Sequence, residues 1–349
     1  MRIAQVAPLF EAVPPKMYGG TERVVSFLTE ELVSLGHDVT LFASADSVTR
    51  ARLEGVWPRA IRLDPGVRDW IAAYARMLEL VRRRAHEFDV LHFHIDYFPL
   101  SLFSRQATPF VSTLHGRLDL PEFKGIYELF PNAPLISISD AQRRPLPNQN
   151  WVATVLHGVP GTRLKPQPIQ PSYLAFLGRI APEKGIDRAI RIAARAGVKL
   201  KVAAKIDAAD LDYFESQIKP LMAAEHIEFV GEINDAQKPE FLSGAHALLF
   251  PIDWPEPFGL VMIEAMACGT PVIAFRRGSV PEVVDHGVSG FIVDNEDEAV
   301  AAVDRLGRLN RQRVRAQFDR RWTSRRMAED YLAVYRALCF EPASALAAD

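Results

Sequence analysis

Short, almost uninterrupted apolar runs recur along this chain and constrain its fold more than any other feature. RIAQVAP (2–8), DVTLFAS (38–44), DVLHFHI (89–95), PFVSTLH (109–115) and LISIS (135–139) each have the length of a strand and little polar alternation. Strands of that kind are covered on both faces, which is the condition of a parallel sheet packed between helices. The segment after the first run supplies such a helix. Over 21–35 the apolar residues Val24, Phe27, Leu28, Leu32 and Leu35 follow helical spacing, and Gly36 stands where a helix stops. Strand, helix and strand with short joins form a βαβ unit, so the fold class is α/β with doubly wound parallel sheets.

The first set of runs closes near residue 158. VPGTRLKPQPIQP (159–171) follows, with four prolines and no hydrophobic period, and reads as a stiff linker. Beyond it YLAFLG (173–178), LKVAAK (200–205), IEFVG (227–231), AHALLFP (245–251) and PVIAF (271–275) repeat the pattern, with helices expected at 184–196 and 259–267. The 349 residues therefore suggest two Rossmann-like domains, 1–160 and 172–320, and a C-terminal helix over 321–340. Ligands of open α/β sheets bind beyond the carboxyl ends of the strands, so a site is expected in a cleft that both domains line.

Charge and cysteine usage close off other classes. Lys plus Arg is 41 against Asp plus Glu at 43, a net of −2 that offers no field for nucleic acid. Cys268 and Cys339 are the only cysteines, which fits a reducing compartment and provides neither a disulfide framework nor a zinc cluster. The apolar start from Ile3 to Pro8 lacks the features of a signal peptide, and no stretch approaches the ~20 apolar residues of a spanning helix, so a cytoplasmic location is expected. Residues 305–326 hold nine arginines and one acid, Asp319. That run reads as a solvated helical surface, with peripheral attachment to anionic lipid as the alternative.

Four motifs carry chemistry. In PEPFGLVMIEAMACGTPVIA (255–274) a loop turns into a helix at Pro257 and Gly259, so the amides of Gly259 and Leu260 are helix-start donors suited to a phosphate. Glu264 lies about one turn beyond Leu260 on the same side, and Glu256 stands in the loop before the helix. In GRIAPEKG (178–185) Arg179 ends a strand and Lys184 starts a helix, a bidentate donor and a point charge that together suit a diphosphate. GGTE (19–22) opens the first helix with two glycines that let backbone approach a ligand. No GxGxxG follows the first strand, which removes the support for a dinucleotide-dependent dehydrogenase. Finally, His115 ends a strand and points to the expected site. His92, His94 and Asp96 alternate onto one face of their strand like a metal site, yet no further ligands stand nearby and no metal is assigned. Asp210 and Asp212 form a literal DxD where a helix start is expected, and acids cap such starts.

Taken together, GGTE, STLH, HGV (157–159), GRIAPEKG, EPFGLVMIEAMACGTPVIA and GSVPEVVDHGVSGFIV resemble the retaining glycosyltransferases of family 4 over nearly the whole chain. That group has the GT-B fold and includes sucrose synthase-like and mannosyltransferase members; HGV stands where its members usually carry NGV. The resemblance implies a metal-independent transfer from a nucleoside-diphosphate sugar, UDP- or GDP-linked, with no cofactor, and a C-terminal helix over 321–340 that crosses back to the first domain. It assigns Arg179 and Lys184 to the diphosphate, the amides of Gly259 and Leu260, beside Phe258, to the distal phosphate, Glu264 to the ribose and Glu256 to the donor sugar. His115 and Gly20 would lie beside sugar and diphosphate, and Val230 and Gly231 beside the base. Lys205 replaces the small residue of many relatives and is an extra polar contact. The acceptor, a small polar molecule, a sugar or a lipid-linked sugar, is expected on the first domain near the loop 9–18, His94, Asp96, Tyr97 and 116–130.

Charge separation in such a transfer fits those roles, because donors preorganised on the diphosphate stabilise the leaving group. Retention implies a front-face mechanism in this family, with Glu256 as a sugar-binding residue and not a nucleophile. A nucleotide-sugar epimerase or a phosphorylase would share two facing domains, but neither explains GGTE and EPFG together as well; a non-catalytic sugar-nucleotide-binding protein is the remaining alternative, disfavoured because Arg179, Lys184 and Glu256 are all present.

Overall fold

The computed structural model describes residues 1–17 and 19–340. Seven strands form the first sheet: β1 (Arg2–Val6), β2 (Asp38–Ser44), β3 (Arg52–Trp57), β4 (Val90–Phe93), β5 (Phe110–Thr113), β6 (Leu135–Ser137) and β7 (Trp151–Thr154). All neighbours pair parallel, in the order β3-β2-β1-β4-β5-β6-β7. Chain order reverses between β1 and β4, the switch point beyond which open sheets bind ligands. β4 and β5 are buried throughout, as their apolar runs require.

Helices cover both faces. Trp70–Arg84 lays Ala73, Tyr74, Met77 and Val81 on a core that holds Phe93, Phe103 and Tyr127. On the other side Gly20–Ser34 buries Val24, Val25, Leu28 and Leu32, and the helix Ser324–Phe340 packs beside it. The described residues of 1–158 and the helix Ser324–Phe340 accordingly belong to one unit.

Val159–Thr323 make the other. Its strands are β8 (Tyr173–Ile180), β9 (Leu200–Ile206), β10 (Ile227–Gly231), β11 (Ala245–Phe250), β12 (Val272–Phe275) and β13 (Gly290–Val293). They pair parallel in the order β10-β9-β8-β11-β12-β13, with the switch point between β8 and β11. The helix Ile186–Ala196 runs between Gly185 (φ 71°) and Gly197 (φ 65°) and buries Ile186, Ala189, Ile190 and Ala193 along one stripe.

Three strands have no apolar run to announce them. β3 and β7 are sheet edges, where RLEGVW and WVAT are only partly buried, and β13 is four residues long and starts at a glycine. The arginine-rich segment is a solvated surface at Arg305, Arg308, Arg313, Arg320 and Arg325, which are exposed, while others of its arginines turn inward. Arg311 donates to the carbonyls of Ala245 (2.7 Å) and Ser243 (2.9 Å), Arg315 to that of Leu164 (2.7 Å), and Arg321 pairs with Asp285 at 2.8 Å. These guanidinium groups satisfy carbonyls that the folded chain would otherwise leave open. No helix among the described residues is long and apolar enough to cross a membrane.

Candidate active site

At the carboxyl end of β8 the backbone turns sharply through 182–185 and meets the loop that follows β11. Gly185 has φ 71°, and a Cβ there would overlap the carbonyl oxygen of Pro251, so the turn and the loop approach at a distance only glycine allows. Asp253 N donates to Glu183 O at 2.9 Å and fastens the two. Arg179, in register with Lys205 on β9, donates from Nη2 to Glu183 at 2.6 Å and from Nη1 to Asp210 at 2.9 Å. Asp210 is thus a partner of the arginine; its carboxylate makes no cap hydrogen bond, which corrects the capping role expected for it. Lys205 lies 3.6 Å from Asp207.

Lys184 Nζ stands 2.5 Å from Glu256 Oε2 and 4.7 Å from the centroid of Trp254, whose indole N–H donates to the same carboxylate oxygen at 2.9 Å. The loop carrying Glu256 is held from behind. Ser279 N donates to Glu256 O (3.0 Å) and Ser279 Oγ to Phe258 O (2.8 Å), while buried Phe258 meets Trp322 edge to face. Gly259, at φ 81°, then turns the chain into the helix Leu260–Ala267. The first amides of that helix have no acceptor within it.

Behind the helix start, Glu264 accepts from Lys238 Nζ at 2.6 Å, and both side chains are about nine-tenths buried, with 6% and 10% exposed. Asp235 adds a second carboxylate to Lys238 at 3.1 Å. Removing one partner of a pair this buried strands a charge, so Lys238→Met is expected to lower stability by ~3 kcal/mol; thermal denaturation checks it. β10 ends in a bulge between Phe229 and Gly231, where Gly231 takes φ 76° and Phe229 and Val230 stay exposed at the sheet edge.

The first unit gathers histidines beyond β4 and β5. His94 Nδ1 and His115 Nε2 are 2.9 Å apart, and His115 stacks on His157 with ring centroids at 5.3 Å. Gln142 Nε2 donates to both carbonyls that flank His115, Leu114 O and Gly116 O, each at 2.8 Å, while its Oε1 accepts from Ile138 N. Ser139 caps the short helix that presents Gln142. Gln142→Leu should therefore release the His115 backbone and lower turnover by more than it lowers the melting temperature, a pair of measurements that separates placement from stability.

Asp96 follows His94 in the left-handed region (φ 50°), and burial raises its carboxyl from 3.8 to about 6. Tyr97 stacks on Phe98 at 5.0 Å and leans on Phe123, so Asp96 is flanked by an aromatic patch. Gly20 is exposed at the start of its helix, as GGTE suggested. His92 and His94 each commit both ring nitrogens to neighbours, and among the described residues no three His, Cys, Asp or Glu gather as a metal-holding group.

The structure thus brings Arg179, Lys184, Glu256, Phe258, Gly259 and Leu260 together at the ends of β8 and β11, and His94, Asp96, Tyr97 and His115 together beyond β4 and β5. Sequence reasoning did not reach Trp254, Lys238, Asp210, Gln142 or Gln5 as site residues. Two of them left a signal: Trp254 stands two positions before Glu256, and Asp210 belongs to the literal DxD.

The family model described as Glycosyl transferases group 1 matches residues 165–323, and the one described as Glycosyltransferase Family 4 matches 18–180. A phosphatidyl-myo-inositol mannosyltransferase of Mycolicibacterium smegmatis is 28% identical over 96% of this chain and 91% of its own. The Mycobacterium tuberculosis protein of that name is 30% identical over 87% of this chain and 85% of its own. Among solved structures, Anabaena Alr3699/HepE in complex with UDP-glucose superposes with a TM-score of 0.75 at 18% identity, covering 97% of this chain and all of that one (100%).

Proposed function

We propose, from the premise that the chain belongs to the group 1 glycosyl transferases with the GT-B fold, that it is a retaining and metal-independent enzyme. Its donor is a nucleoside-diphosphate sugar, UDP- or GDP-linked, and its acceptor a hydroxyl of a sugar, a small polar molecule or a lipid-linked sugar. The observation that carries the reading is the convergence of Arg179 and Lys184 on the end of β8, beside the loop of Glu256 and the helix start at Gly259. Two fixed cations and helix-start amides are what a departing diphosphate needs, and they take the place of a divalent ion.

In the proposed step the bond from the anomeric carbon to the phosphate oxygen breaks while the acceptor oxygen bonds that carbon on the same face. The acceptor proton passes to the departing phosphate oxygen, which leaves as part of the nucleoside diphosphate. A covalent alternative would use a carboxylate as nucleophile. Glu256 is poorly suited to that, since its Oε2 already accepts from Lys184 and Trp254; it serves as an electrostatic and sugar-binding group. Glu264, held by Lys238, takes the ribose hydroxyls, and the exposed Val230 and half-buried Gly231 flank the base. The ligand of the Anabaena fold neighbour supports trying UDP-sugars first.

On the first unit, Asp96 beside Tyr97 is proposed to orient the acceptor hydroxyl. Its carboxyl, raised to about 6 by burial, is protonated below that pH and ionised above it. Transfer is therefore expected to rise with pH through about 6, and Asp96→Asn to flatten that limb of the profile. Folding stability has the opposite sign, because between 3.8 and about 6 the folded chain holds a proton the unfolded chain has lost, so stability falls as pH rises there.

Proton NMR of the reaction of a UDP- or GDP-hexose with a panel of hydroxyl acceptors in EDTA tests the reading. Product with the donor's anomeric configuration supports it. An inverted product, or turnover that stops in EDTA and returns with manganese, rejects it.

A further inference from the structure

Buried polar side chains of the first unit form one continuous hydrogen-bonded chain whose direction can be read from its end. Thr113 Oγ1 donates its only hydrogen to Tyr331 Oη at 3.2 Å. Toward His92 it can then only accept, so His92 Nε2–H donates to it at 2.7 Å. A neutral imidazole carries one hydrogen, which makes His92 Nδ1 an acceptor for the Tyr335 hydroxyl at 2.7 Å. Tyr335, its hydrogen spent, accepts from Gln5 Nε2 at 3.0 Å.

Gln5 then presents Oε1 to His94, whose Nε2–H donates to it at 2.8 Å. His94 Nδ1 is left as an acceptor, and His115 Nε2–H donates to it at 2.9 Å. The last nitrogen, His115 Nδ1, is a bare lone pair, buried and without a partner among the described residues. Burial keeps the rings neutral, holding His92 and His94 well below the usual imidazole range and His115 at about 3. The direction of the Thr113 bond and the placement of the Gln5 amide are separate observations, and they specify the same direction. Exchanging the nitrogen and oxygen of the Gln5 amide would reverse the bonds from His92 to His115 and put a proton on His115 Nδ1.

We propose that Gln5 and Tyr335 are positioning residues that hold His115 in the Nε2–H tautomer, with Nδ1 as an acceptor for a substrate hydroxyl. The proposal rests on the reading of His115 as a substrate-facing residue of a glycosyltransferase. A bare nitrogen of this kind selects an O–H donor and disfavours a phosphate oxygen, which is itself an acceptor. The C-terminal helix thereby sets the hydrogen-bonding character of a residue it does not touch in the relay, through Tyr335, Gln5 and His94.

Tyr335→Phe keeps the ring and removes the one hydroxyl that both accepts from Gln5 and donates to His92. The Gln5 amide then makes one bond in either orientation, and both tautomers of His94 and His115 become populated. In the full chain labelled with 15N-histidine, two-bond proton–nitrogen spectra read this directly, with His115 assigned by its loss in His115→Asn. The expected wild-type pattern is a pyridine-type Nδ1 and a pyrrole-type Nε2. In Tyr335→Phe the two His115 nitrogen shifts should move toward each other, with kcat/KM lowered about 2-fold as the competent tautomer halves and the affinity for UDP or GDP unchanged. A pyrrole-type Nδ1 in the wild type overturns the proposal, as does a folded Tyr335→Phe with an unchanged His115 pattern. Should Tyr335→Phe not fold, the wild-type spectrum decides alone. Should the protein transfer no sugar, the transferase reading fails in its own assay while the ring spectra still judge the relay.

Discussion

Lys184→Ala is expected to lower kcat by ~10²–10³-fold, the size of effect seen when one preorganised charge partner is removed from a developing anion. The substitution does two things at once. It takes away a cation aimed at the leaving diphosphate, and it strands the Glu256 carboxylate, which the structure keeps 2.5 Å from the ammonium and about nine-tenths buried. Trp254 loses its cation as well, since Lys184 sits 4.7 Å from the indole centroid. Lys184→Arg keeps the charge but not the compact ammonium geometry and should recover only part of the rate. Steady-state kinetics on the three proteins checks this, and a loss below ~10-fold in Lys184→Ala would remove the lysine from the leaving-group role.

The second large effect is expected from a residue with no side chain. Gly278 has φ 51°, and a Cβ built there would overlap the backbone nitrogen and oxygen of Glu256. Gly278→Ala must therefore push the loop 255–258 away, breaking the bond from Ser279 N to Glu256 O (3.0 Å) and loosening the approach to Gly259. Strain from the left-handed backbone and from overlap should together cost roughly 2–5 kcal/mol, and donor binding should be lost with the displaced Glu256. Gly287→Ala is the matched control: its φ is 79° and nothing lies within 4 Å of the added Cβ, so only the conformational cost of ~1–2 kcal/mol is expected. Denaturation midpoints and nucleotide calorimetry on both variants separate the two costs.

The buried strands could be read because each is an apolar run, and the diphosphate-side residues because they sit at strand ends and helix starts with local spacing. Both are short-range signals. β3 and β7 lacked them, since edge strands trade apolar residues for exposure, and the buried β13 is too short to stand out after its glycine. The supporting residues were hidden for a different reason. Gln5 meets Tyr335 across 330 positions, Gln142 reaches back 28 positions to Leu114, and Lys238 meets Glu264 across 26, so no local pattern links them. Asp210 was misread because an acid at a helix start looks like a cap until the sheet register places Arg179 on the strand beside it. The inward turn of Arg311, Arg315 and Arg321 was hidden likewise, as charge runs carry no record of the carbonyls they will meet.

Direct binding of nucleoside diphosphates tests the central claim most plainly. Titration calorimetry of the protein with UDP, GDP and ADP, each in buffer with EDTA, should show one of them binding, with affinity unchanged by the chelator and weakened by an order of magnitude or more in Arg179→Ala and Lys184→Ala. Binding that requires a divalent ion, or that is indifferent to both substitutions, would contradict the assignment of the β8 cations to the diphosphate.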